Sequence, residues 1–172
     1  MKNNAILQKI SATVPDWSRE NTQRWKWEPS KFYLKSIRQY QHCCSKKSKI
    51  FFMLAKIFVL KHRFWSVVTG ADIPLNSNIA GGLLIPHPNG IVINPKAEIG
   101  PNCLIFQQVT IGTRGEEGLP KIGGHVDIGA GAKILGNVVV GDHAKIGANS
   151  VVVTDVPPGA TAIGVPAQIM DE

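Results

Sequence analysis

Of the five histidines in the chain, His87 has the most unusual setting: it stands between Pro86 and Pro88 in the segment IPHPNGIVI, residues 85–93. A proline on each side keeps the backbone extended and removes an N–H from any ladder, so the imidazole is offered from a loop. Near pH 7 such a group can take a proton from a hydroxyl and pass it to a leaving group. His125 and His143 are 18 residues apart, which stacks them on successive turns of the repeat described next. A stacked pair invites a metal, but a third ligand at a matching place is missing. Both occupy the fourth position of their repeats, a corner, and are expected to face solvent. Cys103 has the chemistry of a nucleophile, yet it falls on a small inward position and is expected to pack.

The elements that must carry these residues are set by a period of six. Ile73, Ile79 and Ile85 form one phase; Ile93, Ile99, Ile105 and Ile111 a second; Ile122, Ile128, Ile134, Val140, Ile146 and Val152 a third. Neither a helix nor a single strand repeats at six. A rung of short strand plus turn does, and three rungs close an 18-residue triangular coil whose turns stack by parallel pairing. Four positions after most of these aliphatics comes a second inward residue: Ser77, Ala97, Cys103, Val109, Val126, Ala132, Val138, Ala144, Ser150 and Val156. Gly100, Gly129, Gly147, Asn76, Asn94, Asn102 and Asn149 are expected to supply the tight corners. The phase breaks near Pro88-Asn89-Gly90 and at TRGEEGLPK, residues 113–121, mark loops, where a rigid solenoid builds function.

Before about residue 70 the pattern is helical. SKFYLKSIRQYQ spaces Phe32, Leu34, Ile37 and Tyr40 for a helix starting after Pro29-Ser30. A second helix is expected over 47–68, with a centre, IFFMLAKIFVL, too apolar for a solvent-facing helix and too short for a span. Burial against another subunit or element is expected there, with interfacial membrane attachment through Lys46, Lys47, Lys49, Lys61 and Arg63 as the second reading. Trp17, Trp25, Trp27 and Trp65 are read as packing anchors.

The 172 residues, 44% hydrophobic, suit one domain with a small appendage: a helical region over 1–70 and the coil over 71–172. Residues 1–70 hold 14 Lys and Arg against 3 Asp and Glu, and residues 71–172 hold 5 against 9. A basic segment suits nucleic acid, an acidic membrane face or an anionic substrate alike; nucleic acid is not expected as a partner. Three cysteines, two adjacent, build no disulfide framework, and no export signal opens the chain. A cytoplasmic protein is expected.

The residues 70–170 resemble the hexapeptide-repeat acyltransferases, and among them the serine acetyltransferase type. IPHPNGIVI resembles that family's active-site segment; IGAGAKILGN and VPPGATAIGVPAQI resemble its coenzyme A-binding coils and closing segment. Similar segments occur in acetyltransferases of colanic acid and capsular polysaccharide synthesis. The resemblance implies a mainly β fold, a left-handed parallel β-helix, assembled as a homotrimer or a dimer of trimers, with acetyl-CoA in the groove between subunits and no metal. It makes His87 the general base and Asp72, 15 positions earlier, the residue that orients it. It assigns coenzyme contacts to Gly112, Thr113, Arg114, Ala130, Gly131, Ala132, Lys133, Lys145 and Pro166, and acceptor contacts to Asn89 and Leu119.

The chain departs from that family on the acceptor side. Gly118-Leu119 replaces an arginine–histidine pair before Pro120-Lys121-Ile122, Pro86 stands where an aspartate precedes the catalytic histidine, the loop is shorter, and the helical region has half the usual length. On the donor side, which otherwise keeps the family's pattern, Gln168 stands where a basic residue is common. Loss of a charged pair argues against an amino acid as acceptor. The expectation is therefore an acetyl-CoA-dependent O-acetyltransferase acting on a sugar hydroxyl of a surface polysaccharide or its precursor, with L-serine, as in cysteine biosynthesis, the alternative. A metal-dependent hydratase and a non-catalytic trimeric scaffold are the rivals from other classes.

Overall fold

The computed structural model describes residues 10–23, 25–46, 48–116 and 118–170. Lys47, one of the basic residues flanking the second helix, lies outside the described residues. Two helices, α1 (Pro29–Cys44) and α2 (Lys49–Thr69), precede the coil. Pro29 starts α1, where a missing N–H costs nothing, and Gly70, at φ 64°, ends α2 in the left-handed conformation with its N–H on the Ser66 carbonyl.

From residue 72 onward the chain winds through three parallel faces. One face holds β1 (Asn78–Ile79), β3 (Glu98–Ile99), β6 (Lys121–Ile122) and β9 (Val139–Val140). The second holds β2 (Val92–Ile93), β5 (Thr110–Gly112), β8 (Lys133–Leu135) and β11 (Val151–Val152). The third runs β4 (Leu104–Ile105), β7 (Asp127–Ile128), β10 (Lys145–Ile146) and β12 (Thr161–Gly164), and an antiparallel hairpin to β13 (Ala167–Met170) ends it. Ile93 pairs with Ile111 and Ile128 with Ile146, an offset of 18 that is three rungs of six. The register lengthens where the sequence breaks phase: Ile79 pairs with Ile99, and Ile111 with Ile134. The extra residues leave the prism as loops at 86–90 and 113–120.

Both inward series are buried. Ile73, Ile93, Ile105, Ile111, Ile128 and Ile134 form the large side of the core, and Ala97, Cys103, Val109, Val126, Ala132 and Ala144 the small side. The corners match expectation at Asn102 and Asn149 and differ elsewhere. Asn102, Gln108, His125, His143 and Asn149 take positive φ, whereas Gly100, Gly129 and Gly147 do not. Gly100 is needed for space: a Cβ there would lie 2.5 Å from the Gly123 backbone of the next coil.

Helix α1 plugs the open end of the prism with Tyr33, Leu34 and Ile37. The Tyr33 hydroxyl donates to the Ile73 carbonyl at 3.0 Å and accepts from the Ile73 N–H at 2.9 Å, so it completes the first rung. Arg38 joins Glu20 at 2.9 Å and donates to the carbonyls of Ile79 and Ala80. Asn102 binds the preceding strap through the Ser11 and Val14 carbonyls and the Asp16 N–H.

One expectation for the helical region is corrected. Trp25 and Trp27 are 97% and 70% exposed and do not act as anchors, whereas Trp65 packs against the core and Trp17 lays its ring on Gly81. Among the described residues no element of the chain covers the apolar centre of α2, whose buried residues are Ala55 and Thr69. Among the described residues no helix is long and apolar enough to cross a membrane.

Candidate functional site

The loop 86–90 exists because the coil takes two residues more than 18 between Ile79 and Ile99. Its ends are pinned. The Gly90 N–H donates to the Gly70 carbonyl at the end of α2, at 2.8 Å. The Asn89 carbonyl accepts from the Gln108 N–H at 2.9 Å, and its side-chain oxygen from Gln108 Nε2 at 3.0 Å. Gly70 must be glycine here, both for its φ and because a Cβ would meet the Asn89 amide at 2.8 Å. His87, between its prolines, is exposed and borders a recess of 370 Å³ walled by Pro29 and Ser30 at the start of α1 and by Val68 and Thr69 at the end of α2. A second recess shares Pro29, Ser30 and Pro86 and takes in Glu28 and Lys31, an ion pair at 3.1 Å. The Lys31 ammonium and the Gln23 N–H hold the Glu28 carboxyl below its ordinary range, the hydrogen bond from Gln23 being the larger influence.

Asp72 sits in the first bridged rung, its N–H on the Ile91 carbonyl and its carbonyl accepting from Ile93. Its side chain is exposed and, within the one chain, makes no hydrogen bond or ion pair with His87 among the described residues.

The remaining predicted residues separate by edge of the prism. The Gln108 N–H bonds Asn89, the Gly131 N–H bonds the Gln107 carbonyl at 2.8 Å, and the Asn149 N–H bonds the Ala130 carbonyl at 2.8 Å. One edge therefore carries, coil upon coil, the His87 loop, Gln107-Gln108, Ala130-Gly131 and Asn149. Successive levels are about 4.8 Å apart, which puts the small-residue turn about 10 Å from the histidine loop. Gly131, at φ 75°, leaves room for the Asn149 side-chain oxygen, 2.1 Å from where a Cβ would be. Lys133 Nζ donates to the Gln108 carbonyl, and Ala132 points into the core, so the surface of this turn is Ala130, Gly131 and Lys133. Gly112 ends β5 with nothing within 4 Å of a built Cβ, a cradle open to a ligand, and Thr113 and Arg114 follow it, exposed. Leu119, half-buried, closes the same loop. Lys145 and Pro166 lie away on the face and hairpin of the third sheet. Sequence reasoning missed Gln108. Its signal is slight: a polar residue one position before inward Val109, holding a left-handed corner at φ 61°.

A second edge carries the other histidines, and here the expectation of solvent-facing corners is corrected. His125 and His143 stack as their spacing required, but they are half-buried and touch, Nδ1 to Nδ1 at 2.8 Å with rings tilted by 72°. Burial pushes the His125 pKa down, Asp127 opposes this, and His143 adds to it. Among the described residues no cluster of three or more His, Cys, Asp or Glu could hold a metal. Cys103 is a packed thiol: burial pushes its pKa up to about 11, and its Sγ lies 3.2 Å from the Gly123 carbonyl. A thiol that does not ionise near neutrality is a poor nucleophile.

Three parallel faces of six-residue rungs, with a histidine loop and a small-residue turn along one edge, define a hexapeptide-repeat transferase. The bacterial transferase hexapeptide family (six repeats) matches residues 120–154. A serine acetyltransferase of Helicobacter pylori (strain J99) is 37% identical over 150 residues, covering 84% of this chain and 86% of that protein. One of Mycobacterium tuberculosis is 42% identical over 112 residues, 63% of this chain and 49% of that protein. A solved serine acetyltransferase in complex with CoA matches with a TM-score of 0.70 at 37% identity, over 84% of this chain and 58% of that one. The chain belongs to the serine acetyltransferase family, and its coil is the left-handed parallel β-helix. It spans about half the length of the M. tuberculosis relative.

These relatives overturn the expectation of a polysaccharide hydroxyl as acceptor and, with it, a role in polysaccharide synthesis. That expectation weighed local departures, Gly118-Leu119, Pro86 and a shorter loop, as though these positions alone supplied charge to the acceptor. The fold places an ion pair, Glu28–Lys31, on the recess adjoining the His87 loop, where residues distant in sequence reach the site.

Proposed function

We propose that the protein is a serine O-acetyltransferase, moving an acetyl group from acetyl-CoA to the hydroxyl of L-serine to give O-acetylserine and coenzyme A. The observation that carries this is the H. pylori serine acetyltransferase, of whose length this chain spans 86%. The solved relative in complex with CoA supports the donor. The residues suit both substrates: Gly112 leaves an open cradle, and the Ala130-Gly131 turn offers bare backbone to an extended chain. In this reading His87 removes the serine hydroxyl proton as the oxygen attacks the thioester carbon, and returns it to the departing thiolate sulfur. Asp72 orients the imidazole and favours its protonated form. A backbone N–H near Gly112 holds the carbonyl oxygen while it carries negative charge. Thr113, Arg114, Ala130, Gly131 and Lys133 line the donor groove, Asn89 and Leu119 the acceptor side, and the groove is completed by a neighbouring subunit of a homotrimer. The protein acts in the cytoplasm, in keeping with its three free cysteines.

Thiol release from acetyl-CoA, followed with L-serine and with a panel of oligosaccharides, tests the reading. Saturable release with L-serine is expected. Release with no amino acid tried, at any concentration, would overturn it.

A further inference from the structure

The largest feature that acetyl transfer leaves unused is the outer face of α2. Ile50, Met53, Ile57, Leu60, Phe64 and Val67 recur at alternating spacings of three and four, which lines them up in one seam. Their exposures are 70%, 70%, 53%, 66%, 57% and 85%. No polar side chain interrupts the seam to set a register. On one flank run Lys49, Lys56 and Arg63, each one position before a seam residue; Lys61 stands on the other. All four are exposed, none pairs with a carboxylate among the described residues, and α2 contains no Asp or Glu.

This charge pattern selects the occupant. A second copy laid antiparallel would set the Lys49–Lys56–Arg63 row against itself, and laid parallel would set Lys56 against Lys61, like charges in either case. A fluid anionic surface meets the seam with apolar chains and both flanks with phosphates, and it needs no register. The helix does not cross, and at 21 residues it lies about 31 Å along the surface.

We propose that α2 docks the protein in the plane of an anionic lipid surface, its apolar seam among the acyl chains and Lys49, Lys56, Lys61 and Arg63 at the headgroup phosphates. Flotation of the full chain with vesicles of phosphatidylcholine containing phosphatidylglycerol, beside vesicles of phosphatidylcholine alone, tests this. Each basic residue at such a surface is worth about five-fold in partition. K56Q/R63Q is therefore expected to weaken binding by about 30-fold, and added salt to weaken that of the unaltered chain. L60E, at an exposed position that leaves the core intact, is expected to abolish flotation without changing the melting temperature. Equal binding to neutral vesicles, or flotation unaffected by L60E, overturns the proposal. So does a chain that binds neither vesicle: a sedimentation mass that then falls in L60E assigns the seam to a second copy, and an unchanged mass assigns it to a different protein.

Discussion

At the residue scale, the site rests on one imidazole whose surroundings are built by others. His87 has no hydrogen-bond partner of its own among the described residues, and its position comes from flanking prolines, from Asn89 held by Gln108 and from Gly90 held by Gly70. If it acts only while the proton moves, His87→Ala lowers kcat by about 10²–10⁴ and leaves acetyl-CoA affinity nearly unchanged. Steady-state kinetics with a coenzyme A binding measurement checks this, and Asp72→Asn is expected to cost less. His125 offers a separate test. Its pKa is lower folded than unfolded, so the unfolded chain binds more protons as the pH falls through the ordinary histidine range. Its contribution to stability is complete above that range and lost below it. His125→Asn keeps a residue that tolerates φ 52° and removes the titration. The fall in melting temperature between neutral and mildly acid pH is expected to be smaller in the variant; an equal fall would show the pair to be inert.

At the scale of elements, two-residue strands stand only because each is stacked between neighbours, so the tolerance of the coil is set by the spacing between levels. Gly100, without a side chain, lets the turn of one coil lie on Gly123 of the next. Gly100→Ala places a methyl 2.5 Å from that backbone, and neither side is a flexible side chain that can move away. A loss of about 1–3 kcal/mol is expected by denaturant unfolding. The same substitution at Gly112, open within 4 Å, is expected to leave stability nearly unchanged, which separates crowding from a general intolerance of alanine.

For the whole molecule, the proposed donor groove runs along an outer edge, and the recess beside His87 opens to solvent rather than enclosing a ligand. A site of that kind is completed by a neighbour. Sedimentation is expected to give three times the 18.7 kDa of the chain, or six if trimers pair. A monomer with full activity and unaltered coenzyme A binding would refute the assembly.

The period of six, read from the aliphatic residues alone, determined the prism, both inward series and the places where the chain leaves it, because a repeating core accepts only one residue class at each step. His87 stood out for the same reason: prolines in a phase break cannot belong to the wall. Corner chemistry was legible only in part, at Asn102 and Asn149. Gly100 proved a matter of clearance between coils, and the left-handed corners fell to Gln108, His125 and His143, since stacking distance and φ depend on the level above. Which residues meet was also decided in three dimensions. The linear pattern isolates Glu28 and Lys31 in a basic region, 59 and 56 positions before His87, and only the packing of α1 against the open end of the coil sets them beside the His87 loop. The Glu28–Lys31 pair was therefore not legible in the motif, because packing joins residues by distance in space and a motif by distance along the chain.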